Sequence, residues 1–118
     1  MKYVFPAVLT WDEKDRAYLV EFPDTEGYFG CHTDGADLYE ALDNAEDGLN
    51  LMLTYEEREG KPIPKPSDIK DIKAPEGAIV TLVKADTEAY AKMMAEREAA
   101  KEKAAASEAE PEPMAKTA

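Results

Sequence analysis

The stretch "VEFPDTEGYFGCHTDGADLYEAL", residues 20–42, is where the hydrophobic period of the chain changes, and that change decides its fold. Val20 and Phe22 close a run of alternating residues, the period of a strand, and Pro23-Asp24 ends it. From Leu38 the apolar positions fall at Leu38, Ala41, Leu42, Ala45, Leu49, Met52 and Leu53, one stripe of a 3.6-residue helix. Asp37, with Glu40 three residues on, has the form of a capping box with aspartate as the cap. The pattern predicts a helix over 37–59 that stops at Gly60. Gly48 inside it costs roughly 1 kcal/mol relative to alanine, which the stripe on either side outweighs.

Upstream, KYVFPAVLTW (2–11) puts Tyr3, Phe5, Ala7, Leu9 and Trp11 on one face at period two. Pro6 has no N–H to donate, so the strand is expected to carry an edge or a bulge there. After the charged turn DEKD, AYLVEF (17–22) alternates again, and the two runs read as an antiparallel hairpin. A short third strand is expected around 28–33, interrupted by Gly30. Downstream, EGKPIPKPSDIKDI reads as an extended, proline-rich connector, and AIVTLVK (78–84) as a fourth strand dense in β-branched residues. From Thr87 the chain reads as helix with one short apolar seam at Tyr90, Met93 and Met94. Beyond it, Met114 is the one large apolar residue, so a frayed helix running into a disordered tail is expected. The order β-β-β-α-β predicts an α+β fold, a mixed sheet with one long helix across a face. Residues 1–92 form the core domain and 93–118 an Ala/Glu/Lys-rich tail.

At 118 residues the chain suits one domain with one modest core. Twenty-six acidic against fourteen basic side chains give a formal charge of −12, which repels phosphate backbones and attracts basic surfaces. Direct nucleic-acid binding is therefore not expected. No run approaches the roughly 18 apolar residues of a membrane span, and the N-terminus has no signal-peptide pattern, so a cytoplasmic protein without membrane contact is expected. One cysteine forms no internal disulfide.

Cys31 and His32 are adjacent, and on a strand adjacent side chains point to opposite faces, so they do not make a nucleophile and base pair. With one of each in the chain, a thiolate or imidazole zinc site is rejected, and no cofactor is expected. A two-metal nuclease needs carboxylates converging from the sheet centre. The first strand carries none before Asp12, and Glu21 is the one carboxylate within a strand. The reading is of a protein that is not an enzyme. The acidic residues concentrate elsewhere: between Asp34 and Glu59 nine of them face the single Arg58, a net of −8. Such a run is by default a solvated face; its sharper reading is an electrostatic match for a basic partner.

VEFPD at 20–24 followed by GCHTDGADLYEALDNAEDGLNLML at 30–53 resembles the HicB family of type II antitoxins. The opening hairpin, the connector EEREGKPIPKPSDIKDI and the strand GAIVTLVKADTEAY are similar as well, so the resemblance spans roughly residues 1–92. It implies a reduced ribonuclease H-like sheet without catalytic carboxylates. Its partner would be a HicA-type toxin, a small basic ribonuclease that cuts messenger RNA, whose RNA site the antitoxin covers.

Two departures stand out. TEGYF makes the loop after the second strand longer than in the family; Phe29 is expected in the core, with Tyr28 either at its rim or free to anchor a partner. After Thr87 no basic strand or recognition helix is visible, so toxin binding carries over and DNA binding does not. The residues expected to meet a partner are Glu40, Asp43 and Asp47 on the helix with Glu26 and Tyr28 in the loop. The alternative is a solitary HicB-like domain that forms a homodimer or higher oligomer, or regulates another partner, without a toxin.

Overall fold

The computed structural model describes residues 1–108. Strand β1 (Lys2–Asp12) is followed by β2 (Ala17–Glu21), β3 (His32–Gly35), helix α1 (Leu38–Arg58), strand β4 (Ile79–Asp86) and helix α2 (Thr87–Glu108). The strands form one sheet in the order β3-β2-β1-β4, and every neighbouring pair is antiparallel. The expected mixed sheet is thus corrected: β4 returns beside β1 in the opposite sense. The third strand begins four residues later than expected, because residues 23–30 curl into a short 3-10 turn and a glycine-bearing loop. The expectation of a disordered tail concerns chiefly residues 109–118, which lie outside the described residues. The expected domain boundary after residue 92 falls within α2.

Register sorts the two faces of the sheet. Leu9 pairs with Val20 on one side and Ile79 on the other, and Phe5 pairs with Val83, so these residues share the face that α1 covers. Phe5, Ala7, Leu9, Val20 and Val83 are buried there against Ala41, Ala45, Leu49 and Leu53 of α1. At about 25 cal/mol per Å² of apolar surface removed from water, this layer dominates the stability of the domain. Two members of the predicted helical stripe do not join it: Leu38 and Leu42 remain about 40% exposed, at 40% and 41%.

Pro6 lies where β1 has one partner. It pairs with Leu82 of β4, while the ladder to β2 begins only at Val8, so the missing donor interrupts no bond on that side. Pro6 and Val8 face away from α1 yet are buried. The connector after α1 explains this. Ser67 donates from its backbone N–H and its hydroxyl to Asp24 beside β2, at 2.8 and 2.6 Å, while the turn Ile69–Asp71 touches β4. The connector therefore crosses the second face over β1.

Candidate partner-binding site

Helix α1 starts where it does because of its cap. Asp37 is extended, and its Oδ1 accepts from the Glu40 N–H at 2.8 Å. The Glu40 carboxylate reaches back to the Ala36 N–H at 2.7 Å, so the box predicted from spacing forms, displaced by one residue at its return bond. The helix can then lie close on β3 because of Gly35. A Cβ on that residue would come 2.3 Å from the Ala41 nitrogen, so glycine is required by close approach. Further along, Gly48 lies over the buried Cys31 sulfur, where a Cβ would make an ordinary contact at 3.8 Å, so close approach does not demand glycine there. Burial pushes the Cys31 thiol up to about 11, which keeps it protonated and inert.

The loop before β3 is built around Thr25, which is fully buried. Its hydroxyl donates to the Phe22 carbonyl at 2.7 Å and accepts from the Cys31 N–H at 2.9 Å, and its carbonyl accepts from the N–H groups of Tyr28 and Gly30. Phe29 packs against the core, as expected, and Tyr28 is exposed. Thr25 gave no sign of its role in the sequence; a small hydroxyl among turn residues reads as surface. Asp24 was legible as a strand stop and not as the anchor of Ser67, 43 positions away.

The structure separates the five expected contact residues into two groups. Glu40, Asp43 and Asp47 are exposed on the first half of α1, Glu40 being already engaged in the cap. Asp43 and Asp47 border a groove of about 440 Å³ between α1 and α2, whose other wall includes Tyr90, Met93 and Arg97. Burial, then the Asp47 charge, raises the Tyr90 pKa, and Arg97 opposes the shift. Glu26 and Tyr28 stand elsewhere. Glu26 lies 3.3 Å from His32, which pairs with Glu21 and so faces the side of the sheet turned away from α1. The two groups do not form one continuous patch.

Among the described residues the carboxylates of α1 form no ion pair; the pairs present are Arg16–Glu13, His32–Glu26 and Lys70–Asp68. No three His, Cys, Asp or Glu side chains among them come together closely enough to hold a metal ion. No helix there is long and apolar enough to cross a membrane. What the surface offers is uncompensated negative charge on a rigid element, suited to a basic partner.

Residues 5–100 match the model of the HicB_like antitoxin of bacterial toxin-antitoxin systems. The chain belongs to the HicB-like antitoxin family. A toxin-antitoxin complex from Streptococcus pneumoniae contains a similar chain, with 25% identity, TM-score 0.65, and coverage of 76% of this chain and 73% of that one. A chain of the HicA3 and HicB3 toxin-antitoxin complex is 26% identical, with TM-score 0.56 over 71% of this chain and 99% of that one. The N-terminal domain of Burkholderia pseudomallei antitoxin HicB shares the fold at 22% identity, with TM-score 0.56 over 69% and 95% of the two chains. A search of curated proteins finds no match. The α+β core expected of a HicB-like antitoxin is the one observed.

Proposed function

We propose that this HicB-like antitoxin binds a small basic ribonuclease of HicA type and covers its RNA-binding surface with the acidic first half of α1, performing no catalysis itself. The observation that carries this reading is the charge of that helix. From Asp34 to Glu57 there is no basic residue, and none of the α1 carboxylates is neutralised by an ion pair among the described residues. A surface that holds RNA must be basic, and an acidic protein presented on a rigid element competes for it directly. The similarity to a chain of the HicA3 and HicB3 complex supports the same partner class. Asp43 and Asp47 are the central contacts, Glu40 orders the helix start beneath them, and Glu26 with Tyr28 serves a partner that extends past the β3 edge.

The test is co-expression with the product of the adjacent gene, followed by size-exclusion chromatography and an RNA-cleavage assay. A co-eluting small basic protein whose ribonuclease activity is suppressed is the expected result, with release of activity in the Asp43→Lys, Asp47→Lys double variant. If nothing co-elutes and no neighbour is toxic, the chain is a solitary HicB-like module and the toxin-binding reading is overturned.

A further inference from the structure

The two edges of the sheet are finished differently. At β3 the Phe22 N–H donates to the Cys31 carbonyl, so the ladder to β2 takes the odd-numbered residues, and His32 and Asp34 turn their backbone groups outward. That edge is four residues long and polar, and Asn44 of α1 donates to the Asp34 carbonyl at 2.8 Å. The phase of β4 is fixed in the same way. The Thr87 N–H donates to the Met1 carbonyl, while the Asp86 N–H points away from β1 and donates to Asn50 Oδ1 at 2.9 Å. Because the register is unbroken, Thr81, Val83 and Ala85 bond to β1, and Val80, Leu82 and Lys84 present N–H and C=O to the outside. Asn50 satisfies the end of this edge. The outward groups of Val80, Leu82 and Lys84 take no partner among the described residues.

Strand edges are ordinarily protected by charge, proline or a bulge. β4 has none of these over most of its length: its register is regular, it contains no proline, and Lys84 is its one charged residue before Asp86. Beside it, on the face away from α1, Leu82 and Val4 are 50% and 47% exposed. A long, regular, apolar edge is a template for another strand.

The charge along the edge says which strand. A hollow of about 340 Å³ at the Asp86 end of β4 is lined by Glu46 of α1 together with Lys2, Lys84 and Asp86. By register Lys2 and Lys84 belong to the face away from α1, whereas Glu46 comes from the α1 side. Glu46 also lines the groove between α1 and α2, with Asp43, Asp47 and Asp86, where Arg97 is the one basic residue. A strand laid on β4 alternates its side chains between the two faces. Those on the α1 side meet carboxylates and are matched by basic residues; those on the other side meet Leu82 and are matched by apolar ones. A second copy of this chain does not fit. Its β4 offers Ile79, Thr81, Val83 and Ala85 on the α1 side, and two-fold pairing through β4 would set both acidic α1 helices on one face of the joined sheet.

We propose that the outer edge of β4 receives an extended strand of the basic partner. The strand pairs with the N–H and C=O groups of Val80, Leu82 and Lys84 and directs lysine or arginine side chains at Glu46, Asp43 and Asp47. The inference rests on the toxin-binding reading and names the backbone contact through which binding occurs. Main-chain pairing supplies affinity, and the alternation of basic and apolar side chains supplies selectivity.

Amide hydrogen exchange reads this edge residue by residue. In the free chain the Leu82 and Lys84 amides should exchange rapidly, and those of Thr81, Val83 and Ala85 slowly. On saturation with the purified small basic protein encoded by the adjacent gene, exchange at Leu82 and Lys84 should slow by about tenfold or more. Leu82→Pro removes an outward donor without touching the ladder to β1, and should weaken binding about tenfold. Leu82→Ala keeps the donor and should weaken it less than about threefold. Far-ultraviolet circular dichroism checks that each variant is folded, and the exchange pattern of the unaltered chain decides the matter if Leu82→Pro does not fold. Binding that leaves Leu82 and Lys84 exchanging as in the free chain overturns the inference while the toxin-binding reading stands. If the wild-type chain binds no such protein, both fall together. Protection of these two amides that grows with the concentration of this chain alone would assign the edge to a second copy and also overturn the inference.

Discussion

Helices α1 and α2 contain 21 and 22 residues, nearly the same length, and hold their places by different means. Four apolar residues of α1, Ala41, Ala45, Leu49 and Leu53, are fully buried against the sheet, so tertiary packing sustains the helix despite Gly48 in its middle. α2 begins under a buried Thr87, whose N–H donates to the Met1 carbonyl, and leans on α1 through Tyr90 and Ala91. From Lys92 to Lys103 every residue is exposed. Its interface with α1 leaves a groove on one side and an unpartnered Thr54 hydroxyl beneath. An Ala/Glu/Lys composition is enough to make α2 helical and is not enough to attach it. Two helices of one length thus report two sources of order, burial for α1 and local propensity for α2.

The sharpest way to break this contrast is to remove burial from α1. Leu49→Ala should lower the unfolding free energy by about 3 kcal/mol, read from the urea midpoint. A loss below about 1 kcal/mol would mean that burial does not sustain α1. Gly35→Ala tests the close approach that seats the helix on β3. Its added methyl meets the backbone of Ala41, and a cost of about 2 kcal/mol is expected in the same assay. Asp37→Ala removes the cap and should cost about 1 kcal/mol, with Asp37→Asn largely restoring it.

A smaller effect comes from the far end of α1, where the Tyr3 hydroxyl donates to Glu57 at 2.6 Å. Burial first, and then Glu57 through its hydrogen bond and charge, lifts the Tyr3 pKa from 10.0 to about 12. The folded protein therefore keeps a proton that the unfolded chain loses as pH rises above 10. The stabilising contribution is complete below pH 10 and disappears between pH 10 and 12, and solvent screening at this half-buried site keeps it modest. Stability followed across that interval should fall in the wild type and fall less in Tyr3→Phe. Least of all, Ala100→Gly in α2 should reduce helical signal locally while moving the global midpoint by no more than about 0.5 kcal/mol. A larger global shift would show that α2 is bound into the core after all.

The candidate site was legible in part, for the same reason that α1 was. Acidic residues spaced along a helix can be read as a charged face without knowing what lies behind it, and the cap of Asp37 and Glu40 is a matter of spacing within four residues. What could not be read was how the five expected contacts are distributed. Glu26 and Tyr28 belong to a loop wound about Thr25, and the hydrogen bonds that aim it away from α1 join residues whose types carry no such signal. Leu38 and Leu42 are a further case. Their spacing is that of core residues, yet both stay exposed at the start of α1.

By itself the sequence determined the elements: alternation made the strands, the 3.6-residue stripe and its cap made α1, and composition made α2 helical without a core face. These follow from interactions among residues a few positions apart, which the chain carries with it in any environment. The tertiary structure alone decided the antiparallel return of β4, the connector's passage over Pro6 and Val8, the need for glycine at position 35, and the exposure of Leu38 and Leu42. Each of these depends on two surfaces meeting across tens of residues, and whether an apolar side chain is buried is a property of the pair of surfaces, which neither segment encodes on its own.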